Sequence, residues 1–447
     1  MTPYSVRRGQ IGILDAIGQS IAMNGPAATV SLYLVALSEV AGYSMTLVLF
    51  ISFLMYAAIT SIVYQWTKIT YSPAPWAKYA SMGLGRWLGF VSGWLYWLYY
   101  IIGFAGFGLL GMSAFLNSVP EFSTDGWMLY PLAAILCLEA VAISLRRIKF
   151  STRYFVVTGI AEIVFLTATG FSLLYIFRGN IHYATTMNLR SVSPIAVILG
   201  IGSFGGVSGL APLSFETRNP TRSVPLSLAV SLVLIGFTVV FSSFAQSTVF
   251  GPSKFLFYSS ISDPGYWIYG KYLGPVFSII LLIFILNSFN SSLVATSNNY
   301  SRMFFGIFMK GEFSNETHPA ANPDRMPRAS IFLGAAGGLS IALISGTVFG
   351  PFGGSIFLLV IAAILSYSSH IIVSVSLAAY GLRTGRPKFL VHLFIPVIAT
   401  VILAFAIVTT AISDDLYPLN ISVMLSFSVI LAGFMMYPLL FRNDGKR

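Results

Sequence analysis

Long apolar stretches, almost free of charge, alternate along this chain with short polar connections. A helix needs about 20 apolar residues to cross the hydrocarbon of a bilayer. Read at that length, the pattern predicts twelve spans, near 11–38, 44–67, 87–116, 128–145, 154–177, 194–217, 225–250, 272–309, 329–349, 355–380, 390–411 and 418–441. The third and eighth exceed the membrane and must tilt or project from it. The polar stretch 311–328 reads as a linker between spans eight and nine, and no soluble domain is expected.

Composition agrees with the pattern. Of 447 residues, 56% are hydrophobic and 9% charged, against about 25% charged in a water-soluble domain. Aromatic residues reach 15%, as expected where Trp and Tyr gather at the two interfaces. The net charge of +11 would suggest nucleic acid in a soluble protein, but here its distribution explains it. With the N-terminus inside and the spans alternating, Arg178, Arg190, Lys254 and Lys271 alone of the 25 basic residues fall outside. That bias follows the positive-inside rule. It predicts a plasma-membrane protein with both termini cytoplasmic, in contact with lipid and not with nucleic acid. The single cysteine, Cys137, excludes a disulfide within the chain and any cysteine metal cluster.

Two spans contain residues that a plain anchor avoids. The first carries Ala22-Met23-Asn24-Gly25-Pro26 near its middle, and the sixth carries Gly202-Ser203-Phe204-Gly205-Gly206-Val207-Ser208-Gly209-Leu210-Ala211-Pro212. Proline removes a backbone donor and clashes one turn back, while glycine tolerates the dihedrals of an unwound turn. Each break leaves N–H groups at one half-helix start and carbonyls at the other half-helix end. In hydrocarbon such groups need a partner. The positive ends suit a carboxylate and the carbonyl ends an ammonium or a metal cation. Two breaks at corresponding places in the two halves predict a binding site between inverted repeats near the midplane.

At this point the chain resembles the amino acid–polyamine–organocation (APC) permeases. The resemblance lies in Phe204-Gly205-Gly206-Val207-Ser208, in Phe215-Glu216-Thr217-Arg218-Asn219-Pro220 with Pro225, and in Gly85-Arg86-Trp87-Leu88-Gly89-Phe90-Val91-Ser92-Gly93-Trp94. Ser301-Arg302-Met303 through Lys310-Gly311 and the Gly25-Pro26 break extend it over essentially the whole chain. Ser208 stands where an acid is common in the family. The resemblance implies an all-α membrane protein with a five-plus-five inverted repeat: helices 1–5 in residues 1–190, helices 6–10 in 191–388, and two further helices in 389–447. It implies an amino acid held at Ala22–Pro26 and at Ser203, Gly205, Gly206 and Ser208, with Phe204 covering it. Trp97 and Tyr100, and with them Trp94, Ser366, Ser368 and Ser369, are expected to line the site. No acid stands at Ser208 or in span ten, which favours a neutral or apolar amino acid.

Coupling residues follow from two further features. Ser288, Ser291 and Ser292 lie at i, i+3 and i+4 and share a helical face. The pattern is similar to that of sodium-using members of this fold, which admits Na+ at Ser291 and Ser292, and no other cofactor is implied. Glu162 lies in span five, and carboxylates at membrane depth are functional by default. With Ser288, Ser291 and Ser292 it forms the expected coupling site, for H+ or Na+. Glu139 sits two turns from Arg146, placed to snorkel or to pair with it, and Asp15 answers the helix dipole in the first turn of span one. The Gly-rich runs at 106–111 and 200–205 match the dinucleotide fingerprint but follow no strand, so that reading is discarded. Four scattered histidines, His182, His318, His370 and His392, argue against an intramembrane enzyme, and no rings of like residues suggest a channel. The expected function is secondary transport of an amino acid by alternating access, as a symporter or as an antiporter exchanging an amino acid for its metabolite.

Overall fold

The computed structural model describes residues 9–118, 128–189, 192, 194–309, 328–385, 387–412 and 419–440. Expected topology anchors such as Arg7, Arg8, Arg190 and Lys310, most of the 311–328 linker and the Gly311 end of the span-eight motif lie outside them. Among the described residues the protein is helical, with one isolated bridge between Ile11 and Thr217. In hydrocarbon a helix satisfies its backbone within itself, so the apolar stretches fold that way.

The principal helices are α1 (Ile13–Asn24), α2 (Leu34–Ala41), α3 (Met45–Ile69), α4 (Pro75–Leu84), α5 (Arg86–Ser118), α6 (Leu129–Ser144) and α7 (Ile148–Ile176). They continue as α8 (Pro194–Gly202), α9 (Pro220–Phe250), α10 (Pro264–Tyr272), α11 (Pro275–Phe304), α12 (Arg328–Arg383), α13 (Ile395–Ala411) and α14 (Leu419–Leu440). Several open on proline in the first turn, as at Pro75, Pro220, Pro264 and Pro275, where the missing N–H costs nothing. Eight stretches of the described residues are long and apolar enough to cross a bilayer.

The structure redraws several boundaries. The predicted connection between spans nine and ten is a bend: α12 runs 56 residues with non-helical dihedrals at Gly350, just before Pro351. The predicted eighth span begins three residues later, at Pro275, and the short helix α10 lies in the connection before it. The connection from α3 to α5 holds the helix α4, whose Trp76 and Tyr79 are fully buried. A buried core runs through α1, α3, α5, α7, α9 and α11. Large apolar side chains such as Val157 on α7 and Val401 on α13 are exposed, which fits faces turned to lipid rather than to water.

Candidate functional site

Both interruptions are present, and they lie against each other. After α1 the chain turns at Gly25, whose φ of 59° is left-handed, a conformation glycine adopts without penalty. Pro26–Ala28 then starts a second half-helix, which passes through a π-helical turn, Thr29–Tyr33, into α2. After α8 the chain turns through residues 203–206 and resumes as a 3-10 helix, Val207–Glu216, with Pro212 inside it. Ten residues of 3-10 geometry is long for a conformation normally used in short pieces. The crossing is bonded directly. Asn24 Nδ2 donates to the Ser203 carbonyl at 2.8 Å, and Ser20 Oγ donates to the Val207 carbonyl at 2.7 Å. A Cβ on Gly206 would come within 2.3 Å of the Asn24 backbone nitrogen, so a side chain there would force the two breaks apart.

A cavity of ≈ 90 Å³ lies on one side of this crossing. Met23, Asn24, Ala28, Thr29 and Tyr33 line it from the first broken helix, and Gly202, Ser203, Gly205 and Gly206 from the second. α5 contributes Tyr99, Gly103, Phe107 and Leu110, and α12 contributes Leu359, Ala362, Ala363, Ser366 and Tyr367. No acidic or basic side chain is among these lining residues. Asn24 Oδ1 and the Tyr367 hydroxyl are buried there without a partner, and a buried acceptor left so costs about 1–3 kcal/mol.

The sequence-predicted residues divide into those that line the cavity and those that stand behind it. Met23, Asn24, Ser203, Gly205, Gly206 and Ser366 line it. Phe204 does not: its ring packs on Phe53 and Tyr56 of α3, at 5.8 and 6.2 Å between centroids. Trp97 faces Phe304 and Phe308, and Tyr100 faces Trp76 and Tyr96, so α5 offers Tyr99 to the cavity instead. One residue turns a helix by about 100°, and that rotation separates Tyr99 from Tyr100. Tyr33 and Tyr367 enter the lining unpredicted, because no periodicity marks them. Ser208 is buried in the 3-10 segment, outside the cavity lining.

The residues behind the break form a second cluster. Glu162, 2% exposed, accepts a hydrogen bond from the Ala27 backbone N–H and another from Ser288 Oγ at 2.7 Å. Its carboxylate thus caps the start of the second half-helix, where the dipole favours negative charge. Ser292 Oγ donates to the Ala22 carbonyl at 2.6 Å, at the end of the first half-helix. Ala22, Gly25 and Pro26 therefore face this cluster and not the cavity. Ser291 turns away, donating to the Ser288 carbonyl of its own helix. The oxygens of Glu162, Ser288, Ser292 and Ala22 suit a hard cation or a proton, whereas the Ser291 hydroxyl is engaged elsewhere. No group of three or more His, Cys, Asp or Glu able to hold a metal occurs among the described residues.

On the other side of the crossing the helices are sealed by polar contacts. Arg302 Nε pairs with Glu216 Oε1, both side chains 1% exposed, and Arg302 Nη1 donates to the Asn298 carbonyl. Gln19 bonds the Ala295 carbonyl and Asn299. The backbone amides of Gln10 and Ile11 donate to the Glu216 carbonyl, and Arg218 N–H donates to that of Ile11. Glu216 and Arg302 stand in the two motifs quoted above, but no spacing in sequence pairs them. Asp15 accepts from Gly12 N–H and from Thr152, as a first-turn acid should. Glu139 does not meet Arg146. Its partner is Asn290 Nδ2 at 3.0 Å, while the Arg146 guanidinium lies over the Phe150 ring.

Comparisons with known proteins place this architecture. A manganese transporter mutant from Eremococcus coleocola superposes with a TM-score of 0.60 at 12% identity, over 97% of this chain and 94% of that one. A Na+-coupled sialic acid symporter gives 0.55 at 12% identity, over 97% and 91%. At such identities the likeness is one of fold. No curated protein sequence matches the chain. The family model described as amino acid permease matches residues 13–443, and the chain therefore belongs to the amino acid permeases of the APC superfamily, as a multi-pass membrane protein.

Proposed function

We propose that this protein is a secondary active transporter of a neutral or apolar amino acid, working by alternating access rather than as an enzyme. The observation that carries the reading is the uncharged cavity at the crossing of two broken helices, with Asn24 Oδ1 and the Tyr367 hydroxyl left unpartnered on its wall. An α-ammonium would satisfy the Asn24 oxygen, and the Tyr367 hydroxyl would donate to an α-carboxylate. With no charged side chain in the lining, a cationic or anionic substrate side chain would be buried unpaired, at a cost of several kcal/mol. Glu162, Ser288 and Ser292 couple the movement to H+ or Na+, because they join the break in the first helix to α7 and α11.

In this reading Ile13–Ile69 and Arg328–Arg383 each supply two spans. With the short α6 and the broken α8 segment the total is twelve, in two inverted repeats of five plus two further helices, with cytoplasmic termini in the plasma membrane. The test is a thermal-shift screen of the purified protein against the twenty amino acids, followed by uptake in proteoliposomes. Stabilisation by neutral amino acids and saturable uptake are expected. Stabilisation only by arginine, lysine or polyamines would refute the substrate class. Glu162→Gln should abolish or alter the cation dependence of uptake, and unchanged uptake with unchanged dependence would remove Glu162 from the coupling site.

A further inference from the structure

A second hollow, of ≈ 350 Å³, opens where α5, α6, α7 and α11 meet. Most of its wall is apolar, but one corner gathers Glu139, Tyr154, Asn287 and Asn290. Glu139 is exposed on α6, where a carboxylate facing hydrocarbon is costly and calls for a functional explanation. Asn290 Nδ2 donates to Glu139 at 3.0 Å and approaches the Tyr154 hydroxyl at 3.4 Å. That hydroxyl donates to Asn287 Oδ1. Asn287 precedes Ser288, whose own hydroxyl binds Glu162. A polar chain therefore leads from the carboxylate at the first broken helix to a carboxylate at the edge of the bundle. Two of its atoms, Asn287 Nδ2 and Asn290 Oδ1, are buried without a partner. Both residues line the hollow, which is large enough for water, and water is what unpaired amide atoms recruit when the side chain turns toward it.

We propose that the coupling ion is a proton, and that it passes between Glu162 and Glu139 along this chain, with Tyr154 as the relaying hydroxyl. The proposal rests on Glu162 being the coupling carboxylate and goes beyond it by choosing H+ over Na+ and naming the route. Protonated Glu139 gives its proton to a water held by Asn290. That water passes one proton to the Tyr154 oxygen while Tyr154 releases its own hydroxyl proton, which lies on the Asn287 side, through a second water, held by Asn287, to the Glu162 carboxylate. Tyr154 is left neutral, Glu139 becomes an anion, Glu162 becomes a neutral acid, and the amides hold water without carrying charge. The groups facing these two acids are Tyr154 from α7, Asn287, Ser288 and Asn290 from α11, and the Ala27 amide from the first broken helix.

The test uses the full-length protein in liposomes containing a pH-sensitive dye, with L-alanine or the neutral amino acid that stabilises it most. Two rates are compared in wild type, Glu139→Gln and Tyr154→Phe: proton movement driven by an amino acid gradient, and one-for-one exchange of labelled amino acid at equal pH. Proton movement should fall by about ten-fold or more in both variants, exchange should stay within about two-fold, and Glu139→Asp should recover part of the proton flux. Proton movement unchanged in either variant, or exchange lost in parallel with it, would overturn the route. A wild type driven by Na+ with no proton movement would overturn it too, while leaving amino acid transport and the Glu162 cluster standing. A wild type that transports no amino acid is a failure of the earlier reading instead.

Discussion

The two sides of the helix crossing are built from the same two chain segments, yet one side is hollow and the other filled. On the hollow side Asn24, Thr29, Tyr33 and Ser203 meet across ≈ 90 Å³ of space. On the filled side Gln19, Ser20, Glu216 and Arg302 bind across the gap to carbonyls and to each other. The difference teaches how a permease of this shape can favour one opening. A buried ion pair with its hydrogen bonds closes one side, while the other is lined by aromatic side chains. Small residues at the crossing, Gly206 and Gly209, let the backbones approach this closely.

The largest way to break this comparison is to remove the ion pair. Arg302→Met leaves the Glu216 carboxylate buried and unpaired, a loss of about 3–5 kcal/mol, read as a lowered thermal unfolding midpoint in detergent. Adding Glu216→Leu should recover most of the stability while leaving the filled side loosely gated. If the double variant is as unstable as the single one, the pair is not the element that matters. Gly206→Ala should come next, since the new Cβ strikes the Asn24 backbone and overpacking costs about 1–3 kcal/mol. Uptake at saturating substrate should fall about ten-fold, and normal uptake would mean the breaks need not touch.

Smaller effects sharpen the picture. Tyr99→Ala should raise KM about ten-fold, equivalent to about 1.4 kcal/mol of binding, whereas Trp97→Phe should leave KM unchanged. The reverse result would mean that α5 is rotated from its place here. The smallest effect belongs to the outer connection before α10, where Asp263 caps the helix by accepting from Tyr266 N–H. Burial lifts its carboxyl from 3.8 to about 6, opposed by the amides of Tyr266 and Gly265. Between those two values the folded protein binds more protons than the unfolded chain, so stability falls as pH rises through the window and is level above it. The unfolding midpoint should therefore be about 1–2 °C higher at pH 5 than at pH 7.5 on this account. Asp263→Asn should remove that difference, and an unchanged pH response would assign it elsewhere.

Much of the site could be read in the residues before any coordinates. Gly25-Pro26 and the glycines at 202–206 announce unwound turns because backbone chemistry is local. Glu162 and Ser288 were legible as a pair of polar intrusions at membrane depth, and they do meet. The lining of the cavity was harder. α5 is apolar almost all round, so no stripe of polarity fixes which residues face inward, and Tyr99, Tyr100 and Trp97 are indistinguishable by pattern. The direction of Phe204, whose ring packs on Phe53 and Tyr56, is hidden for a related reason, since an irregular turn has no period from which to project a side chain.

The sequence by itself determined the solvent, the helical class, the positions of the breaks and the residues costly enough in lipid to require partners. Those properties depend on composition and on neighbours within a turn. Only the tertiary structure decided that the breaks cross, that Glu216 finds Arg302, that Glu139 takes Asn290 rather than Arg146, and which tyrosine faces the cavity. These depend on the rotation and depth of one helix against another, which packing between distant segments sets and no local pattern encodes.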